Sequence, residues 1–187
     1  LEIEAFPSIE ALRTAFASGR FDLAAGQLTW DPSWQEVGEP TATYDSIAQH
    51  WVYRRGQARP TSLAEVARKR IVVAAGSAEA VFLQGWAPEA GLPLDWVEIP
   101  ADSGVDTLDV VASGSADVAL LDGHELAFAR SLHPEIGVAL SLPRRREVQW
   151  IVPRGAGALR EAIDAWFAQE RRSGRLAAAT ARALAVP

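Results

Sequence analysis

One nine-residue pattern constrains this chain more than any other feature. Phe16-Ala17-Ser18-Gly19-Arg20-Phe21-Asp22-Leu23-Ala24 returns as Val111-Ala112-Ser113-Gly114-Ser115-Ala116-Asp117-Val118-Ala119. Ala, Ser, Gly, Asp and Ala coincide in register, and apolar residues coincide at two further positions. Each copy reads as a helix end, a glycine stop, an Asp at the turn and then a buried strand. Two unrelated helix–turn–strand corners converging on common turn chemistry would give this pattern. So would two related lobes, each built around its own sheet.

The rest of the chain alternates strand-like and helix-like segments. Leu1–Ala5 alternates apolar and charged residues, as a short strand does. Ser8 is placed to cap a helix with Ile9, Leu12 and Phe16 on one face. Strands are expected at Leu23–Thr29 and Ile47–Tyr53, with a loop over Trp30–Tyr44. Ser62 and Glu65 have capping-box spacing. Ile71–Ala75 is a continuous apolar run, expected of a strand covered on both faces. Helix Ser77–Trp86, strand Leu94–Ile99, helix Val105–Ala112, strand Val118–Leu121 and helix Glu125–Leu132 follow. Two strands, Ile136–Leu142 and Glu147–Val152, precede helices Ala158–Arg171 and Leu176–Leu184. Such alternation predicts α/β layers with mostly parallel sheets. Trp51–Arg59 and Arg146–Arg154 are the stretches able to join two lobes. The expected division is a discontinuous first lobe, 1–53 and 148–187, around an inserted second lobe, 54–147.

Composition limits the function classes. The net charge is −6 over 187 residues, with no long basic run, so a nucleic-acid partner is not expected. Arg144-Arg145-Arg146 reads as a solvated turn. Cysteine is absent, which removes disulfides, thiolate metal sites and thiol nucleophiles. His50, His124 and His133 lack metal-ligand spacing, no G-x-G-x-x-G occurs, and no cofactor or metal is expected. No apolar run approaches the roughly 18 residues of a spanning helix. The sequence opens on Leu1-Glu2-Ile3-Glu4 without an initiating Met, which reads as a processed or trimmed product.

Val52-Tyr53-Arg54-Arg55-Gly56-Gln57-Ala58-Arg59-Pro60-Thr61-Ser62-Leu63, followed by Lys69-Arg70-Ile71-Val72-Val73-Ala74-Ala75-Gly76-Ser77, carries a family resemblance. So do Asp22-Leu23-Ala24-Ala25-Gly26-Gln27-Leu28-Thr29 and Ala116-Asp117-Val118-Ala119-Leu120-Leu121-Asp122. Together they resemble the periplasmic solute-binding proteins of family 3, which take polar amino acids. Within them they resemble the amino-terminal domain of the membrane-bound lytic murein transglycosylase F family. The resemblance implies a two-lobed, type II periplasmic-binding-protein-like α/β fold. It also implies a periplasmic location, with outer-membrane tethering in a parent protein. Relative to that family, the first strand–helix unit is missing. Aligning Thr29 and Pro32 puts Trp34 where an Arg usually clamps the ligand carboxylate. The Glu-Ser pair of the family's catalytic domain occurs nowhere in this sequence.

Open α/β sheets bind ligands at the carboxyl ends of their strands. With two lobes facing each other, that rule nominates Gln27, Leu28 and Thr29 on the first lobe. On the second it nominates Gly76, Ser77, Ala78 and Asp122. Free N–H groups at Gly76-Ser77 suit an anion, and Thr29 can donate a hydroxyl hydrogen bond. The resemblance gives Asp122 the ligand's ammonium group. Ser77 and Asp122 are equally placed to cap the helices that follow them. Among seven Trp, most are expected in cores; Trp30 and Trp34 lie beyond a cleft strand and are expected to stack on a ligand or to plug the cleft. The leading expectation is a non-catalytic cleft binder for an amino acid, small peptide or muropeptide stem fragment, linked to cell-wall turnover. A lytic transglycosylase domain is its expected partner. The alternatives are the non-catalytic portion of a transglycosylase acting on peptidoglycan, and a degenerate module serving as an interaction domain.

Overall fold

The computed structural model describes residues 2–7, 9–30, 32–91, 93–100 and 104–184. Ser8, the expected cap of the first helix, lies outside them. The chain divides into two compact units. Among the described residues, those up to Ser46 and those from Glu147 to Leu184 form the first, and those of Ile47–Arg146 form the second.

The first unit contains α1 (Ile9–Ala17), β1 (Ala24–Leu28), β2 (Gly38–Pro40), α6 (Gly157–Arg172) and α7 (Arg175–Leu184). Its sheet is organised on the distal part of β7 (Ile136–Pro153), a strand of 18 residues. β1 and β2 both pair antiparallel with it, Ala24 facing Ile151 and Gly38 facing Pro153. The parallel arrangement expected from sequence therefore does not hold here, because β7 returns to this unit without a crossover helix. The loop expected over 30–44 also carries a 3-10 turn at Pro32–Trp34 and the short β2. One cluster joins Phe16, Ala24, Leu28, Trp34 and Ile151. A second joins Val152, Ile163 and Phe167, with Tyr44 and Trp150 against it. Trp150 and the half-exposed Trp166 stack at 5.9 Å.

Gly38 fixes the approach of β2 to β7. A β-carbon built there falls 2.4 Å from Ile151 Cγ2 and 2.8 Å from the Val152 carbonyl oxygen. Backbone cannot give way as a side-chain tip can. Gly38→Ala is therefore expected to cost about 1–3 kcal/mol by overpacking. A lower urea midpoint with unchanged slope is the measurement that checks it.

The second unit contains β3 (Asp45–Arg54, entering from the first), α2 (Leu63–Val66), β4 (Ile71–Ala74), α3 (Ala78–Ala90), β5 (Trp96–Ile99), α4 (Thr107–Ala112), β6 (Val118–Asp122) and α5 (Gly123–Leu132). Its strand order is β7-β3-β6-β4-β5. β4 runs parallel to both β5 and β6, while β3 runs antiparallel to β6. β4 is buried at all four positions and β6 at all five, which explains their uninterrupted apolar sequences. One face packs Trp51, Val73, Leu83 and Leu120; the other packs Val52, Leu108, Val111 and Leu121.

The two copies of the repeat fall in different units. Gly19 follows α1 at φ 76°, and Gly114 follows α4 at φ 81°. Each supplies the left-handed turn between a helix and a strand; β6 is buried throughout, as expected, whereas β1 is buried only at Ala24 and Leu28. Arg144-Arg145-Arg146 is no turn: it lies inside β7, which runs unbroken where two strands were expected.

Candidate functional site

In the second unit, β4 and β6 are neighbours in parallel register, Ile71 beside Val118. Their carboxyl ends therefore lie side by side, and a helix starts from each. After β4 the chain turns at Gly76, φ 66°, and Ser77 caps α3 by accepting from the Ala80 N–H at 3.1 Å. After β6, Asp122 caps α5: its Oδ1 accepts from the N–H groups of His124 and Glu125, both at 2.8 Å. Glu125 reaches back to the Asp122 N–H, which completes a capping box. Both capping roles weighed from sequence are present. Gly76, Ser77 and Ala78 lie at the start of α3, as the strand-end rule placed them.

Asp122 is also half of a buried ion pair. Its Oδ2 accepts from Arg146 Nη2 at 2.9 Å, and the two side chains are 4% and 2% exposed. Glu79, on the first turn of α3, is equally buried. One oxygen each from Glu79, Asp122 and Glu125 fall within 4.8 Å of one another. This carboxylate group has the composition of a hard-cation site. Arg146 already supplies positive charge beside it. Gln49 faces Asp122 across β3 and β6. Its side chain is fully buried, and neither its Nε2 nor its Oε1 has a hydrogen-bond partner. Glu79 Oε1 is likewise unpartnered.

Burial pushes the Glu79 carboxyl above its ordinary value of 4.5; Arg146 opposes that shift, and the negative Asp122 adds to it. Because the folded state holds this proton more tightly than the unfolded chain does, the associated stability is complete below about pH 4.5. It is lost as pH rises through the folded value. Glu79→Gln removes this dependence. The variant should gain stability relative to the parent chain as pH rises from acid toward neutral, and chemical denaturation at several pH values will show it.

On the first unit, Gln27 is exposed, Thr29 is half-buried and Leu28 belongs to the core. Trp34 differs from expectation. It is 1% exposed and packs edge-on against Phe16 at 6.1 Å, inside the first unit's own core. A large apolar ring is held there by the area it removes from water, so the indole presents no stacking face.

Sequence reasoning missed Gln49, Glu79 and Arg146. The period-two spacing of Leu142, Arg146 and Val148 was the one local signal for Arg146, which shares their buried face once β7 is seen to run unbroken. The family-resembling stretch lies elsewhere. Tyr53, Arg54, Gln57 and Pro60, with Arg70 and Asp117, line a cavity of about 170 Å³ toward the opposite strand ends. There Arg70 forks onto Asp117 through two nitrogens, at 3.2 and 2.8 Å.

No family model matches the chain. Relatives named membrane-bound lytic murein transglycosylase F match most of it. The protein of Idiomarina loihiensis is 29% identical over 181 residues, 95% of this chain and 40% of the relative. That of Pseudomonas savastanoi is 35% identical over 82% of this chain and 31% of the relative. That of Ectopseudomonas mendocina is 33% identical over 94% and 36%. The chain thus spans about a third of the length of these relatives. Among solved structures, an amino acid transporter substrate-binding protein of Streptococcus pneumoniae, bound to L-arginine, superposes with a TM-score of 0.80 at 18% identity. The match covers 98% of this chain and 76% of that one. The solute receptor for L-cysteine of Neisseria gonorrhoeae gives 0.75 at 20%, over 97% and 71%. The chain therefore has the type II periplasmic-binding-protein fold and is similar, over most of its length, to part of the membrane-bound lytic murein transglycosylases F.

Proposed function

We propose that this chain is a non-catalytic, periplasmic ligand-binding module that regulates cell-wall turnover. Its ligand is an amino acid, a small peptide or a peptidoglycan stem fragment. The observation that carries this reading is the pairing of two helix starts at the adjacent carboxyl ends of β4 and β6. Open backbone N–H groups at Gly76 and Ala78 suit a ligand carboxylate or carbonyl, beside Ser77, whose own N–H closes the turn onto the Ala74 carbonyl at 3.2 Å. Asp122 is the proposed second contact, with Gln27 and Thr29 the proposed contacts on the first unit. Leu28 and Trp34 support that unit from its core. The solved neighbours are named for amino acid ligands, and the relatives for an enzyme of peptidoglycan; both names agree with this ligand range. No helix among the described residues is long and apolar enough to cross a membrane. A lytic transglycosylase domain is the proposed partner in the parent protein.

Calorimetry with single amino acids and with stem peptides tests the reading. Saturable binding of either class, weakened by Ala78→Pro, which removes an open N–H at a first helical position that tolerates proline, is the expected result. Release of soluble muropeptides from purified peptidoglycan by the isolated chain would overturn the non-catalytic assignment. A second reading, a degenerate module serving as an interaction domain, is favoured by one observation: both Asp122 oxygens are already engaged by the protein. Binding of neither ligand class supports it.

A further inference from the structure

The acidic group at the end of β6 contains a cation that the chain itself brings. Arg146 stands on β7 at the last position of the second unit. It donates to Asp122 Oδ2 at 2.9 Å, with both side chains almost wholly buried. Asp122 Oδ1 is used by the start of α5. Glu79 lies in the same group, buried, with Oε1 unpartnered. A carboxylate removed from water requires a partner, and a guanidinium is the cation best suited to a desolvated pair. A ligand amine would have to displace a group that is covalently held in place. The tethered group loses no translational freedom on pairing, whereas the free ligand does.

We propose that Arg146 is a tethered cation filling the ammonium or guanidinium position of this site, so that the second unit turns away free amines and accepts ligands whose contacting group is uncharged. This deepens the functional reading above by removing free amino acids from its ligand range, and rests on it for the location of the ligand. The buried, unpartnered amide of Gln49, opposite Asp122 in register, has the same neutral polar character. An N-acylated or peptide-linked amine fits this selection, and a free α-amine does not.

The test removes the tethered group and returns it in solution. Arg146→Gly and Arg146→Ala are compared with the parent chain in the presence of methylguanidinium, with sodium chloride at equal ionic strength as control. The variants should gain saturable methylguanidinium binding, tighter than the parent chain's by about ten-fold or more. Adding Asp122→Asn should abolish the gain. A variant that folds only when methylguanidinium is supplied gives the same answer through its folded yield. Folded variants without saturable binding overturn the proposal. So does equal binding by the parent chain, binding that survives Asp122→Asn, or a failure of both variants to fold that methylguanidinium does not rescue. Stem-peptide calorimetry on the parent chain is a separate readout, so failure of this proposal and failure of the functional reading are told apart.

Discussion

Asp122→Ala is expected to destabilise the second unit by about 3–5 kcal/mol, through the loss of a partner from a buried ion pair. The carboxylate does two jobs with two oxygens. Oδ1 closes the first turn of α5, and Oδ2 pairs with Arg146. Alanine ends both, and it leaves a guanidinium that is 2% exposed without its carboxylate. Asp122→Asn separates the roles. The asparagine oxygen can still accept at the cap, because Asn and Asp are comparable N-caps. What remains lost is the charge pairing. Asp122→Asn should therefore fall between the parent chain and Asp122→Ala in denaturant midpoint. Equal midpoints for the parent chain and Asp122→Asn would show that the cap alone carries the stability. This measurement also frames the ligand question, since a residue that holds the fold cannot be deleted to probe binding without a stability control.

Trp34→Ala is the second large effect, and it falls on the first unit. The ring is 1% exposed and contacts a core of Phe16, Ala24, Leu28 and Ile151. Truncating a buried Trp typically costs about 3–5 kcal/mol, from lost transfer energy and the cavity left behind. Had Trp34 been a ligand platform, the same change would lower affinity and leave stability nearly unaltered. Hydrogen exchange distinguishes the outcomes. Faster exchange of the β1 amides and of the distal β7 amides is expected, because Ala24 and Leu28 pair with Ile151 and Gln149 there.

Much of the architecture was legible in the chain. The apolar runs of β4 and β6 revealed strands covered on both faces, and the repeated Ala-Ser-Gly-x-x-Asp corner located two helix-to-strand turns. Gly19 and Gly114 hold left-handed conformations, as that corner requires. Ser62 and Asp122 were both legible as helix caps, although the reciprocal box that Asp122 forms with Glu125 was not read. β7 was not legible as one strand. Pro143 and three consecutive arginines resemble a turn, and only pairing with distant strands decides otherwise. The site was legible in part for a related reason. Strand-end rules point to Gly76, Ser77, Ala78 and Asp122, but charge pairing between Asp122 and Arg146 joins residues from separate elements, which local patterns do not encode. Trp34 failed in the opposite direction. Its position relative to Thr29 suggested a ligand face, whereas its size made it core.

The length and placement of β7 also bear on how the polypeptide is made. Ile47–Arg146 is one contiguous stretch, and everything needed for the second unit's sheet is present once Arg146 has left the ribosome. The first unit has no such autonomy. β1 and β2 emerge early, yet their pairing partners lie at Gln149–Pro153, more than a hundred residues later. Until then they carry open edges and an uncovered apolar face, including Trp34 and Phe16, with the long loop between them still to be closed. Synthesis from the amino terminus thus finishes the inserted unit first and leaves the outer one waiting. The early strands of the nascent chain are the segment that a holding chaperone would need to shield.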